Sequence, residues 1–396
     1  MGKFGHYEKK AILFTGLAHS FHHIGMLLFP PVLVAVKKDL NVSIFILSVI
    51  YTISGFCNGL GALPSGILID RLGTKRPLIL NLVGVSIGAI LIFLSRDIYS
   101  LAVGLAILGL FSSLYHPAGL TLISHTVKER THALGFHGIA GSLGLAFGPL
   151  FSGFVASFFS WRTVFLIFGL AGFALTFMVQ MFLKEYEIHE GKNRIVQTNA
   201  TLRSTLIFFF MISILYGMAY AGFTTFIPIH FSENAKKILS NTGYIIRGGV
   251  LTSIVLLAGV LGQYLGGIIG SRKKLEVTLF FIILLNIPLL ILMTLSKNWM
   301  LLIITILFGI VHFAYQPVQN SLLAEYTSHK RRGTWYGVQS FLAFGVGSSA
   351  SAISGYITDL LSVRWVFITM GLILIPALIS VIILYFMDRN RVNENR

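Results

Sequence analysis

Long apolar runs alternate with short polar segments along the whole chain. Twelve runs have about twenty residues or more, which is enough for a helix to cross a bilayer. They lie near 11–36, 44–69, 77–94, 98–124, 134–158, 161–183, 205–230, 247–270, 276–295, 299–324, 335–360 and 364–387. The pattern predicts an all-α membrane protein with twelve transmembrane helices, numbered here as spans 1 to 12.

Composition supports a membrane protein and assigns its orientation. Hydrophobic residues make up 55% of the 396 positions and charged residues 11%, whereas soluble domains carry about 25% charged residues. The net charge of +16 comes from short basic clusters between apolar runs, without the basic stripe of a nucleic-acid-binding protein. With both termini in the cytoplasm, most of the 30 Lys and Arg fall in cytoplasmic segments, as the positive-inside rule requires.

A repeat at an offset of about 200 residues divides the chain into two halves. Tyr115-His116-Pro117 recurs as Tyr315-Gln316-Pro317, and a basic loop and a Gly-rich span follow both copies. The repeat predicts two pseudo-symmetric six-helix bundles, at 1–183 and 205–396, joined by a charged cytoplasmic linker at 184–204. Transporters of this plan bind substrate between the two repeats near the membrane midplane.

Histidines are the main polar residues within the spans. His19, His22 and His23 have the i, i+3, i+4 spacing that places them on one helix face. His116 in span 4 and His137 in span 5 are predicted at similar depth, and His312 lies in span 10. Polar groups at such depth are expensive and are candidate functional residues.

Acidic residues fall at or near span ends, so no carboxylate is predicted at the membrane midplane. Histidine is then the expected proton carrier if transport is proton-coupled, because it gains and loses its proton near neutral pH. A cavity with histidines and without acids also favours an anionic or zwitterionic substrate. Some of these histidines would instead only bond neighbouring helices, a structural alternative that the sequence leaves open.

The segment between spans 2 and 3 carries a recognisable motif. It reads G-x-L-x-D-R-x-G-x-K-R, from Gly66 through Asp70, Arg71, Gly73 and Lys75 to Arg76. This resembles the loop 2–3 signature of the major facilitator superfamily of transporters, which implies a latch on the cytoplasmic side. In that superfamily spans 1, 4, 7 and 10 line the central cavity. The resemblance therefore gathers there His19, His22, His23, His116, Tyr216, Tyr220, His312, Tyr315 and Gln316, and we add His137 as a candidate for substrate or proton binding.

Span 5 indicates a branch of that superfamily. Gly144, Gly148, Pro149 and Gly153 resemble the G-x-x-x-G-P-x-x-x-G motif of drug–proton antiporters, whose glycines permit close helix contact. The antiporters also have a span 4 arginine where this chain has Leu105, which argues against arginine-mediated coupling. The phrases around His19, His116 and His137 resemble the fosmidomycin-resistance-like group. That resemblance implies export of small polar organic compounds such as phosphonates.

The predicted function is secondary active transport of a small polar or anionic organic compound by alternating access, as proton-coupled efflux. We expect no enzymatic activity, no cofactor, no resident metal and no nucleic-acid partner. The expected setting is a monomer in the lipid bilayer of a bacterial or archaeal inner membrane.

The sequence leaves two alternatives open and disfavours a third. The first is an uptake symporter or facilitator for an organic anion. The second is a transporter of metals or metal chelates, because three histidines on one helix face suit transition metals. A membrane di-iron enzyme is disfavoured, because the H-x-x-H-H box at His19 has no second copy.

Overall fold

A computed structural model describes residues 4–127, 130–184, 200–327 and 332–394. Every regular element in this part of the chain is helical. In the first half the helices are α1 His6–Met26, α2 Phe29–Leu40, α3 Ile44–Leu72, α4 Lys75–Leu94, α5 Ile98–Ser112, α6 Tyr115–Thr126, α7 Arg130–Phe158 and α8 Trp161–Phe182. In the second half they are α9 Ala200–Asn234, α10 Tyr244–Arg272, α11 Leu275–Leu295, α12 Asn298–Phe313, α13 Tyr315–Tyr326, α14 Arg332–Ser340, α15 Ser349–Leu360 and α16 Arg364–Glu394, with a π-helical segment at Phe341–Val346.

Twelve stretches of the described chain are helical, long and apolar enough to cross a membrane, as the hydropathy pattern predicted. Most of the predicted linker, 185–199, lies outside the described residues. With an even number of crossings, α1 begins and α16 ends on the same side. We call this side the terminal face and the opposite side the distal face.

Four spans are not single α-helices, which the apolar pattern did not predict. Span 1 breaks between α1 and α2, just before Pro30 and Pro31. Spans 4 and 10 break immediately before Tyr115 and Tyr315, so Pro117 and Pro317 each fall in the first turn of a new helix. Proline lacks an N–H and fits the first turn of a helix, where no partner for that N–H exists. Span 11 contains the π-helical segment.

The two halves meet along two pairs of spans. Helix α7 of the first half packs on α10 of the second, and α3 packs on α15 and on the π-helical segment. At the distal face α2 also packs on α9. Small residues allow these contacts: Gly59 and Gly345 face each other so closely that a Cβ on Gly59 would overlap the Gly345 backbone. Backbone contact of this kind is typical of helix pairs in membranes.

Candidate functional site

The break in span 1 and the break in span 4 bring five histidines together. His19, His22 and His23 lie on the last two turns of α1, and His116 is the second residue of α6. His137 approaches from α7. We call these five residues the N-half histidine cluster. Its closest ring pairs have centroid separations of 4.0 Å for His19 and His137, 4.7 Å for His19 and His23, and 4.8 Å for His22 and His116.

One backbone contact orients the centre of the cluster. His19 Nδ1 lies 2.7 Å from the carbonyl oxygen of His137, so this nitrogen carries the proton and donates it. In a neutral ring the lone pair is then on Nε2, which lies 3.1 Å from Nε2 of His23. Gly141 leaves the space for this ring, because a Cβ there would overlap His19.

Several nitrogens of the cluster have no hydrogen-bond partner in the structure. They are Nδ1 of His22, Nδ1 of His23, and both ring nitrogens of His137. The side chains of His22 and His137 are only 2% exposed. A buried polar group without a partner costs about 1–3 kcal/mol, so the cluster has spare capacity to bind a polar or charged guest.

A matching aromatic stack occupies the second half. Tyr315 is the first residue of α13, as Tyr115 is of α6, and its ring lies 3.6 Å from that of Tyr216. Tyr216 in turn stacks on His312 at 4.5 Å and donates a 2.8 Å hydrogen bond to the His312 carbonyl. Tyr220 lies 6.0 Å from His312. The aromatic and histidine candidates of this half, Tyr216, Tyr220, His312 and Tyr315, therefore form one stack.

Asn286 completes this stack, and the sequence analysis missed it. Its amide nitrogen donates to Tyr216 Oη at 3.3 Å, and its Oδ1 lies 3.3 Å from Nδ1 of His312. The side chain is fully buried in α11. A lone amide in a strongly apolar span was the signal that could have identified it.

A small cavity lies between the halves. Its described lining has no charged side chain and combines aromatic rings with hydroxyl and amide groups. Of the candidates from the sequence, only Tyr220 lines it; Tyr51, Asn58 and Ser351 were missed. The histidine cluster is not part of this lining but adjoins it along α1, where Gly25 and Met26 follow His23 within three residues.

A polar bridge crosses between the halves at Gln263 and continues to Gln316. Ser142 of α7 donates to Gln263 Oε1 of α10 at 3.2 Å, and Gln263 Nε2 donates to Gln316 Oε1 at 3.2 Å. Gln316 itself is exposed. Sequence reasoning selected Gln316 but missed Gln263, which lies in the Gly-rich part of span 8.

The span 5 motif makes the close contacts that its glycines predicted. A Cβ on Gly144 would overlap the backbone of Ser20, and one on Gly148 would lie 3.1 Å from the carbonyl oxygen of Ile24. Gly153 faces the other half, where a Cβ on it would lie 3.0 Å from the carbonyl oxygen of Ile245. Pro149 lies inside α7, which continues past it, and its carbonyl contacts Gly249 of α10. The motif thus packs span 5 on span 1 and on span 8.

The loop motif is described only in part. Helix α3 runs through Gly66, Asp70 and Arg71. The structure describes the backbone at these three positions but not the surroundings of the Asp70 and Arg71 side chains. Gly73 follows with a φ of 77°, which favours glycine. Lys75 donates to the carbonyl of Gln180 at 2.9 Å, and Arg76 is exposed. The latch role of this loop stays a prediction.

Comparison with known proteins identifies the family. The family model described as Major Facilitator Superfamily matches residues 15–245 and 238–396. The Multidrug resistance protein MdtG of Salmonella paratyphi C (strain RKS4594) is 26% identical over 333 residues, covering 80% of this chain and 79% of that protein. The protein of the same name from Salmonella paratyphi B (strain ATCC BAA-1250 / SPB7) is 25% identical over the same lengths.

Solved structures share the fold at low sequence identity. An inward-facing, occupied bacterial homologue of the human lysosomal transporter Spinster has a TM-score of 0.77 at 14% identity, covering 97% of this chain and 98% of its own. A variant of the nucleoside transporter NupG has a TM-score of 0.76 at 12% identity, covering 94% and 100%. The family match spans nearly the whole chain and agrees with the twelve-span fold. The chain therefore belongs to the Major Facilitator Superfamily.

Proposed function

We propose that this transporter exports a small polar or anionic organic compound in exchange for protons, with both termini in the cytoplasm of a bacterial or archaeal cell. The observation that carries the proposal is the position of the N-half histidine cluster beside the uncharged cavity between the halves. Rocking of the two halves then exposes the cavity to each side in turn.

The proton would be carried by imidazole. In the described part of the chain, Asp and Glu lie at or near helix ends, as Glu8, Glu276 and Asp359 illustrate. Histidine changes its charge near neutral pH, at about 6.5 when unperturbed. The unpartnered nitrogens of His22, His23 and His137 give an incoming proton a place to bind.

The cavity supports a compound that combines apolar and hydrogen-bonding groups. Tyr51, Phe165, Tyr220 and Phe344 supply aromatic surface, and Asn58 supplies an amide. A protonated histidine next to this lining would attract an anionic group. The multidrug name of the relatives and the resemblance to the fosmidomycin-resistance-like group are consistent with such a substrate.

Uptake is the second candidate function, because the same geometry serves a symporter or a facilitator for an organic anion. We expect a monomer in the bilayer in either case. Direction is therefore the first property to test.

Growth of a sensitive bacterial host in fosmidomycin tests direction. Cells would express wild type, Tyr220→Ala or an empty vector, with equal protein levels checked in isolated membranes. Export predicts resistance with wild type and its loss in the variant, because Tyr220 lines the cavity. Greater sensitivity with wild type would mean that the protein imports the compound.

Inverted membrane vesicles test coupling. With the lumen acidified by respiration, adding a transported compound should raise the lumenal pH as protons leave in exchange for it. Transport of labelled compound without a pH response would contradict proton exchange and favour a facilitator.

A further inference from the structure

We propose that His19, His23 and His116 bind one transition-metal ion of the Zn²⁺, Co²⁺, Ni²⁺ or Cu²⁺ type. The site goes beyond the proposed export function and does not require it. It combines side chains from two helices that the breaks in spans 1 and 4 bring together.

The spacing of the ligand nitrogens fits such an ion. One nitrogen from each of the three rings can be chosen so that all lie within 4.8 Å of one another. Tetrahedral coordination with metal–nitrogen bonds of about 2.05 Å separates the nitrogens by roughly 3.3 Å. The Nε2 atoms of His19 and His23 already lie 3.1 Å apart. His116 would complete the set by a movement of about 1.5 Å or less, which side-chain rotation provides.

The surroundings orient His19 as in known metal sites. Metal-binding histidines usually donate their other ring N–H to a carbonyl or carboxylate, which fixes the tautomer and directs the free lone pair at the ion. His19 makes this contact through Nδ1 to the carbonyl of His137 at 2.7 Å. A ligand set of imidazoles, without carboxylates or thiolates, selects borderline transition metals over Mg²⁺ or Ca²⁺.

A fourth coordination position remains for water or an anion. The described cluster contains no carboxylate, so a bound divalent ion would keep its positive charge. His23 and His116 are partly exposed, whereas His19 is 7% exposed. The open position therefore lies on the side of His23 and His116. Three histidines with one open position are a common arrangement for zinc that binds a further ligand.

The second half provides an internal comparison. Gln316 stands at the repeat position of His116, directly after the tyrosine that begins the helix. The fold therefore does not need histidine at this position. The tyrosine stack does not require a histidine at this position either, because Tyr315 stacks on Tyr216 with Gln316 in the place of His116.

Metal binding to the purified full-length protein tests the site directly. The protein would carry a purification tag without histidine, and Co²⁺ and Zn²⁺ would be titrated in detergent at pH 7.5. We expect one ion per chain and, for Co²⁺, the visible absorption of tetrahedral coordination. Zn²⁺ should displace Co²⁺, because Zn²⁺ binds such sites more tightly.

Three variants separate the site from general folding. His116→Gln installs the residue that Gln316 provides at the equivalent position of the second half. We expect Zn²⁺ affinity to fall by more than the roughly 10–100-fold that is typical of losing a residue that hydrogen-bonds a metal ligand, because a ligand itself is lost. Gly141→Ala keeps every ligand but displaces the His19 ring, so about a tenfold loss is expected. His6→Ala removes an exposed histidine at the terminal face and should leave affinity unchanged.

The outcomes decide the site independently of export. Absence of stoichiometric binding in folded wild type, or equal binding by His116→Gln and wild type, would overturn the proposal. Equal losses in His6→Ala and His116→Gln would show non-specific binding and would also overturn it. Export without metal binding refutes only the site, whereas metal binding without export refutes only the proposed function.

Discussion

Thr52 and Ser348 approach each other across the boundary between the two halves. Thr52 Oγ1 lies 3.0 Å from the carbonyl oxygen of Ser348, and Ser348 Oγ lies 3.2 Å from the carbonyl oxygen of Thr52. Each hydroxyl also has a backbone carbonyl acceptor on its own span, that of Ser48 at 2.9 Å for Thr52 and that of Gly345 at 2.6 Å for Ser348. Separation of the halves therefore leaves neither hydroxyl without a partner, which suits an interface that opens and closes.

Thr52→Val is expected to favour separation of the halves at the distal face. The change removes one cross-half hydrogen bond, worth about 1 kcal/mol or less, and keeps the side-chain shape. That energy corresponds to a shift of up to about fivefold in the equilibrium between the two conformations. Distances between spin labels at Lys38→Cys and Leu361→Cys, in a Cys57→Ser background, would report it. An unchanged distance distribution would contradict the role of this contact.

Asp359 joins the distal ends of the halves. Its carboxylate accepts a 2.7 Å hydrogen bond from the Phe45 backbone N–H, at the start of α3, and lies 3.9 Å from Lys37 Nζ. A negative charge at a helix N-terminus is favourable. Asp359→Ala should open the distal face more than Asp359→Asn, because asparagine can still accept from Phe45.

Labelling of Asn58→Cys in the cavity would measure that opening, in the same Cys57→Ser background. A membrane-impermeant thiol reagent applied from the distal side should react faster in Asp359→Ala than in Asp359→Asn. We expect only a few-fold difference, since the two variants differ by one hydrogen bond, which contributes about 1 kcal/mol. Equal rates in the two variants would show that the hydrogen bond to Phe45 does not hold the distal face closed.

Gly249→Ala is expected to impair transport by disturbing the α7–α10 contact. The new methyl would overlap the Pro149 carbonyl and press on Gly153 in the opposite half. Gly267→Ala, on the same helix, meets nothing within 4 Å and is the matched control. Transport rates in proteoliposomes should fall at least about fivefold for Gly249→Ala, the scale of a misfit of 1–3 kcal/mol, and stay unchanged for Gly267→Ala. Normal transport by Gly249→Ala would show that transport does not depend on close backbone contact between α7 and α10.

Asp97 should make stability depend on pH through the cap of α5. Backbone and side-chain hydrogen bonds from Ser100, with a further one from the Tyr99 N–H, hold the pKa of this carboxyl below its usual value. A carboxyl with a lowered pKa in the folded state stabilises that state above its unfolded pKa of about 3.9. The contribution is lost as the pH falls through the folded pKa.

The difference in Tm between wild type and Asp97→Ala should therefore shrink between pH 7 and pH 3. Asp97→Asn provides the control, since asparagine caps a helix without titrating. Its Tm should exceed that of Asp97→Ala by a margin independent of pH. A constant difference between wild type and Asp97→Ala would refute the titrating cap.

Much of the candidate site could be predicted from the chain, and the failures have one cause. The i, i+3, i+4 spacing placed His19, His22 and His23 on one face, and the structure brings them to His116 and His137. The same reasoning missed Gln263 and Asn286, because their partners come from other helices. Nor could it show that the cavity lining includes Tyr220 but not the histidines, since that depends on where the helices break.

By itself the sequence determined the twelve spans, the repeat and the superfamily, because apolar length and a motif at a fixed offset are properties of the chain alone. The tertiary structure decided which polar groups meet. In a bilayer every helix offers a similar apolar surface, so neighbours are selected by small residues and hydrogen bonds between helices. Gly141 beside His19 and Thr52 beside Ser348 are such selections, and they are visible only once the helices are packed.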